Sequence, residues 1–212
     1  MSIFLPRPGQ FIECHPSDAA YPQAHHDYKA TCAWLMRNGI AIPESLRPYS
    51  HVQHVLTPYL VKLWLPAEHL AENAVLVGEF TWPRSRIRTL TPGEFVADIY
   101  ELVPPLMDSE LDAMDQEWLA HRNQKYGLCL YLRMFWWGLW SRILPVDYVA
   151  LAKILKTRQL VCSSAEDKFL TDIGRDLWPG IEHTITSPCM LAAAVVTGRL
   201  RLAKADWTPG EV

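Results

Sequence analysis

"YLRMFWWGLWSRILPVDYVALAKILKTRQL", residues 131–160, carries three tryptophans, a Leu-Pro-Val-Asp break, a short helical pattern and a basic tail. From Tyr126 to Trp140 the chain is apolar for fifteen residues apart from Arg133. A bilayer span needs about 20 residues, and Arg133 would place a charge near mid-depth, where it is expensive. The stretch is therefore expected to be a central helix wrapped by others, and no membrane partner is expected. After the break, Asp147 can cap a helix "YVALAKILK" with Val149, Ala152 and Ile154 or Leu155 turned inward.

Working outward toward the C-terminus, a second break at 157–162 leads to Ser164 and Asp167, a capping-box spacing that predicts a helix over "AEDKFLTDIGRDLW". Ser187-Pro188 opens a small-residue helix closed by Gly198, and "RLRLA" (199–203) alternates charged and apolar residues as a strand does. Helix, break, helix and basic strand is the order of a helix-turn-helix with a wing. Lys153, Lys156, Arg158 and Lys168 are the candidate phosphate contacts, with Arg199 and Arg201 on the wing. The acidic start Ala165-Glu166-Asp167 and the six-residue break depart from that pattern, so packing or protein contact is the alternative use of the element.

Working outward the other way, Asp108 to about Arg122 reads as a helix with its acids toward the N-terminal half. Thr91-Pro92-Gly93-Glu94 has capping-box spacing with proline at the first helical position, predicting a helix that starts at Pro92 and stops before Pro104-Pro105. "AVLVGEFTW" (74–82) and "SRIRTL" (85–90) are paired strand candidates across Trp82-Pro83-Arg84. "PYLVKLWL" fits a short buried helix or strand, and a helix is expected from Gln23 to Asn38 before Gly39.

Residues 126–156 also resemble the core of a YdaU-type domain found in phage and bacterial proteins linked with replication. Gly127, Tyr131, Leu132 and Arg133 match its first block, and Trp140 its tryptophan. Leu144-Pro145 with Asp147 match its turn, and Leu151-Ala152 with Ile154 its helix. The resemblance covers about 30 of the 212 residues. It implies a winged-helix-like module from a mobile genetic element and brings no catalytic residues.

The fold class expected from these patterns is mainly α, a helical domain with a helix-turn-helix or winged-helix-like element. A small β element belongs to the N-terminal half. An irregular mixed region would span 1–90, the helical domain 91–204 and a tail 205–212.

Charge divides along the same line. Residues 1–120 carry a net −7 and residues 121–204 a net +6, with eight carboxylates and no Lys or Arg between Thr89 and Ala120. A basic half suits an anionic partner. The expected function is a non-enzymatic, nucleic-acid-associated protein or a subunit of a nucleoprotein complex, binding DNA or RNA. The alternative is an adaptor, inhibitor or immunity protein whose acidic region 94–117 meets a protein partner.

Five scattered cysteines without a CxxC pair, and an N-terminus lacking a secretory pattern, predict free thiols in the cytoplasm. Cys14, His15, His25 and His26 are the candidate metal ligands of a third, metalloenzyme reading, with His51 and His54 as distant reserves. On a helix His25 and Cys32 would stand about 10.5 Å apart, at ~1.5 Å per residue, too far to share an ion. No P-loop, GxGxxG or GxSxG occurs, so no cofactor is expected. The tryptophans at 136, 137 and 140 read as core before they read as a base-stacking platform.

Overall fold

The computed structural model describes residues 4–58, 74–127, 160–181 and 186–210. Its centre is a six-stranded antiparallel sheet, not the helical domain expected. The strands are β1 (Gln10–Cys14), β2 (His51–Val55), β3 (Leu76–Glu79), β4 (Arg86–Thr89), β5 (Ala97–Leu102) and β6 (Leu200–Trp207), in the order β4-β3-β2-β1-β5-β6. Strands from both halves of the chain thus share one sheet.

The mainly-α expectation fails for a physical reason. Strands of a half-exposed sheet alternate apolar and polar residues, but a sheet covered on both faces loses that alternation. Here β1 is buried at all five positions and β2 at four of five. Phe11, Val52, Tyr100, Leu102 and Leu200 enter the main core, while Ile12, Cys14, Val55, Val77, Ala97 and Ile99 enter a second cluster on the opposite face. Polar Gln10, Glu13, Gln53, His54 and Asp98 are buried among them, which hides the strand signal further.

The segment 92–104 makes the same point. Thr91 N–H does donate to Glu94 (3.2 Å), as the capping-box spacing requires. Glu94 is however also clamped by both terminal nitrogens of Arg88 at 2.6 and 2.7 Å, and Gly93 takes the left-handed conformation (φ +72°). The chain turns there and continues as β5 rather than as a helix. The 74–82 and 85–90 strand pair forms, as β3 and β4, and "RLRLA" lies within β6.

Four α-helices are described: α1 (Tyr21–Arg37), α2 (Asp108–Ala120), α3 (Cys162–Asp172) and α4 (Pro188–Ala193). The α1 and α2 expectations agree with the sequence patterns to within two residues. α3 begins earlier than predicted: Ser164 is not outside the helix but accepts from Val161 N–H (2.9 Å) inside its first turn. It ends at Asp172, ahead of left-handed Gly174. Ser187 caps α4 by accepting from Met190 N–H, and a 3-10 turn (Ala194–Thr197) carries the chain to Gly198.

α3 lies on β2, α1 packs on α4, and α2 meets α3. Trp118 of α2 is 2 % exposed and rests on Gly78, where a Cβ would come within 2.5 Å of its ring. Residues 128–159, which hold most of the opening stretch, the YdaU-like block and the first helix of the expected helix-turn-helix, lie outside the described residues, as does "PYLVKLWL" from Tyr59 on. Among the described residues no helix is long and apolar enough to cross a membrane.

Candidate active site

The first residue of α3 is Cys162, and the first residue of β2 is His51. Packing of α3 on β2 brings the two together, with the His51 ring close enough to act on the Cys162 thiol. His51 Nε2–H donates to Glu79 Oε2 on β3 at 3.2 Å. Glu79 is itself gripped from three sides, by Gln53 Nε2 (2.7 Å) on one oxygen and by Arg86 Nε (2.5 Å) and Arg88 Nε (2.8 Å) on the other. The result is a chain of Cys162, His51 and Glu79, with its carboxylate fixed by a second set of donors.

Electrostatics follow from that order. Burial works against charge on Cys162. The His51 charge and hydrogen bond overcome it, helped by the backbone N–H groups of Val52 and Ser163, and the thiol is held below its ordinary value. A helix N-terminus adds to this, because its first N–H groups lack intrahelical acceptors and favour an anion. Burial likewise opposes a charged His51, but the neighbouring Cys162 and then Glu79 raise the ring to about 9. Burial would raise Glu79, yet its bonds to His51 and Arg88 hold it well below the usual carboxylate range. Each group's charged form thus favours the other's: the thiol is lowered beside a raised imidazole. Cys162 is 6 % exposed and the His51 side chain 24 %, so the pair borders solvent on the His51 side.

One helical turn deeper, Glu166 Oε1 meets His54 Nδ1 at 2.7 Å, and both side chains are fully buried. His54 is tilted against Phe11 and stacked on Trp118. Cys162 and Glu166 are four residues apart and so share the sheet-facing side of α3. The buried pair therefore pins the helix in the register that places Cys162 at His51.

The residues singled out from sequence are distributed differently. Lys168 lies on α3 and pairs with Asp172, Arg199 donates to the Asp176 carbonyl, and Arg201 on β6 pairs with Glu101 of β5. Lys153, Lys156 and Arg158 lie outside the described residues. Five carboxylates of the acidic run 94–117 are buried or already engaged within the chain. Glu94 pairs with Arg88, Asp98 is buried, and Glu101 accepts from Gln10 (2.9 Å). Glu110 is held by Arg175 at 2.7 and 2.8 Å, and Asp115 accepts from Thr57.

Of the candidate metal ligands, Cys14 is buried in the second cluster and His25 stacks between Tyr21 and Tyr28 on α1, where His26 also lies. His15 sits instead 3.3 Å from Asp98. Among the described residues, the group whose ligand atoms could jointly meet an ion is His15, Asp98 and Asp206. Arg47 already bonds Asp206 (2.7 Å), and Asp98 already accepts from Tyr49 Oη and Asp206 N–H.

Sequence reasoning missed Cys162 as a site residue and used His51 only as a reserve metal ligand. The available signal was a cysteine at a break just before a helix. No protein-family model, curated protein or solved structure matches this chain.

Proposed function

We propose that the chain is a cysteine-nucleophile hydrolase or acyltransferase acting on an ester, thioester or amide. The observation that carries this reading is Cys162 at the start of α3, beside a His51 that Glu79 orients. Nucleophile, base and orienting carboxylate in series is recognised by geometry and role, and it recurs on unrelated folds.

In the reaction, the Cys162 sulfur forms a bond to the substrate carbonyl carbon. His51 gives its proton to the departing oxygen, sulfur or nitrogen as that bond breaks, leaving an acyl-thioester on Cys162. Water or an acceptor group then attacks the thioester and loses its proton to His51, and the thiolate leaves. Glu79 keeps the ring oriented and supports its positive charge throughout.

The test is alkylation of Cys162 by iodoacetamide across pH, mapped by peptide mass, together with acylation by p-nitrophenyl acetate. The expected result is alkylation with an apparent pKa below that of a free thiol, and an acetyl group on Cys162 that Cys162→Ser abolishes. Ordinary thiol titration at Cys162 would sink the reading.

A second reading rests on charge. The net +6 of residues 121–204 suits a nucleic-acid backbone, with Lys153, Lys156 and Arg158 as the phosphate contacts. It is weakened at Lys168 and Arg201, whose charges already meet carboxylates within the chain.

A further inference from the structure

Glu13 stands in the middle of β1, opposite Val52 on one side and Asp98 on the other. It is 1 % exposed, and neither carboxyl oxygen has a hydrogen-bond partner among the described residues. Residues opposite each other on neighbouring strands point to the same face, with Cβ atoms about 5 Å apart. Glu13 therefore shares the face of Val52, whose backbone N–H is among the groups that lower the Cys162 thiol.

Among the described residues, the charges that act most on Glu13 are those of Cys162 and Glu166 of α3, Asp27 of α1 and Asp98 of β5, all of which disfavour its ionisation. Asp98 has His15, Tyr49 and the Asp206 N–H for itself. A carboxylate buried without a cation or donor is too costly to keep ionised, so the group carries a proton. A neutral carboxyl is a hydrogen-bond donor, and here its O–H has no acceptor among the described residues. Burying such a donor destabilises the fold, and it has a use only if an acceptor arrives with a ligand.

We infer that Glu13 is the oxyanion donor of the Cys162 site, its carboxyl O–H meeting the substrate carbonyl oxygen as the thiolate attacks. This rests on the hydrolase reading above. The carbonyl oxygen gains negative charge when sulfur adds to its carbon, so a fixed neutral donor stabilises the transition state more than the ground state. An ionised carboxylate beside the thiolate would do the reverse.

The experiment compares the full chain with Glu13→Gln and Glu13→Met, using p-nitrophenyl acetate for acylation and iodoacetamide for alkylation, which generates no oxyanion. Glu13→Met should lower the kcat/KM of acylation about 10²-fold or more. Glu13→Gln keeps an N–H donor and should stay within about fivefold. Alkylation of Cys162 should stay within about threefold in both. Glu13→Met removes an unsatisfied buried group, so its thermal midpoint should be no lower than that of the parent.

Undiminished acylation in Glu13→Met overturns the inference. So does equal loss in Glu13→Gln, or a parallel loss of alkylation, which would make the role structural. A parent protein that alkylates as a thiolate but acylates no faster than a free thiol of the same pKa removes the oxyanion role and leaves the Cys–His pair standing. A parent in which Cys162 titrates as an ordinary thiol overturns the hydrolase reading itself, and the inference with it.

Discussion

His51 couples catalysis and stability through one proton. Its folded-state value of about 9 lies above the ordinary 6.5, so the stabilisation it contributes is complete below about pH 6.5 and is lost as pH rises through about 9. Glu79 has the opposite sign. Its folded value is depressed, so its contribution is present above the ordinary 4.5 and declines as pH falls through the folded value. Stability should therefore be greatest between about 4.5 and 6.5 with respect to this pair, and thermal midpoints measured from pH 4 to 10 check it. Acylation of Cys162 needs the thiolate and the imidazolium together, so its rate should fall on the alkaline side near pH 9. Glu79→Gln removes the charge that supports the ring. It should lower turnover about 10²-fold or more and draw the alkaline limb downward; an unchanged limb would remove Glu79 from the site.

At the scale of elements, the position of α3 decides whether there is a site at all. Cys162 and His51 are more than a hundred residues apart, and they meet because Glu166 locks onto His54 and because Trp118 wedges α2 between β3 and α3. Glu166→Ala leaves His54 without its buried partner and should cost about 3–5 kcal/mol in urea unfolding. Cys162 alkylation should move toward that of an ordinary thiol as the helix loses its register. Gly78→Ala is a finer probe: its Cβ would press on the buried Trp118 ring and should cost about 1–3 kcal/mol. A neutral Gly78→Ala would mean that the α2–sheet contact tolerates displacement. The helices were legible because helical signals are local. The capping serine of α4, the 3.6-residue pattern of α2 and Gly39 after α1 act within a few residues of themselves. β5 was not legible, because the Thr91–Glu94 capping geometry formed and was then overruled by the Arg88 clamp and by pairing with β1.

For the whole molecule, the charge division raises the competing expectation of nucleic-acid binding. If residues 121–204 meet a phosphate backbone, affinity for mixed-sequence duplex or single strands should fall steeply with salt, and a Lys153→Ala, Lys156→Ala, Arg158→Ala variant should flatten that slope. Absence of binding at low salt would leave the hydrolase reading without a rival on charge grounds. Lys168, Arg199 and Arg201 should add little to any slope, being engaged with Asp172, the Asp176 carbonyl and Glu101.

By itself the sequence determined what depends on neighbours along the chain: the two helices near 21–37 and 108–120, the β3–β4 hairpin, the first part of β6 within 199–203 but not its continuation to Trp207 into the expected tail, and the caps and glycines that end helices. It excluded a bilayer span for 126–140 on length and on Arg133. Only the tertiary structure decided that the sheet, covered on both faces, is the organising element, because burial on both sides erases the alternation that marks a strand. Only the tertiary structure, too, chose Cys162, His51 and Glu79. Five cysteines and eight histidines can be combined in many ways along a chain. The pairing that matters is set by how α3 lies on β2, a contact between residues far apart in sequence that no local pattern records.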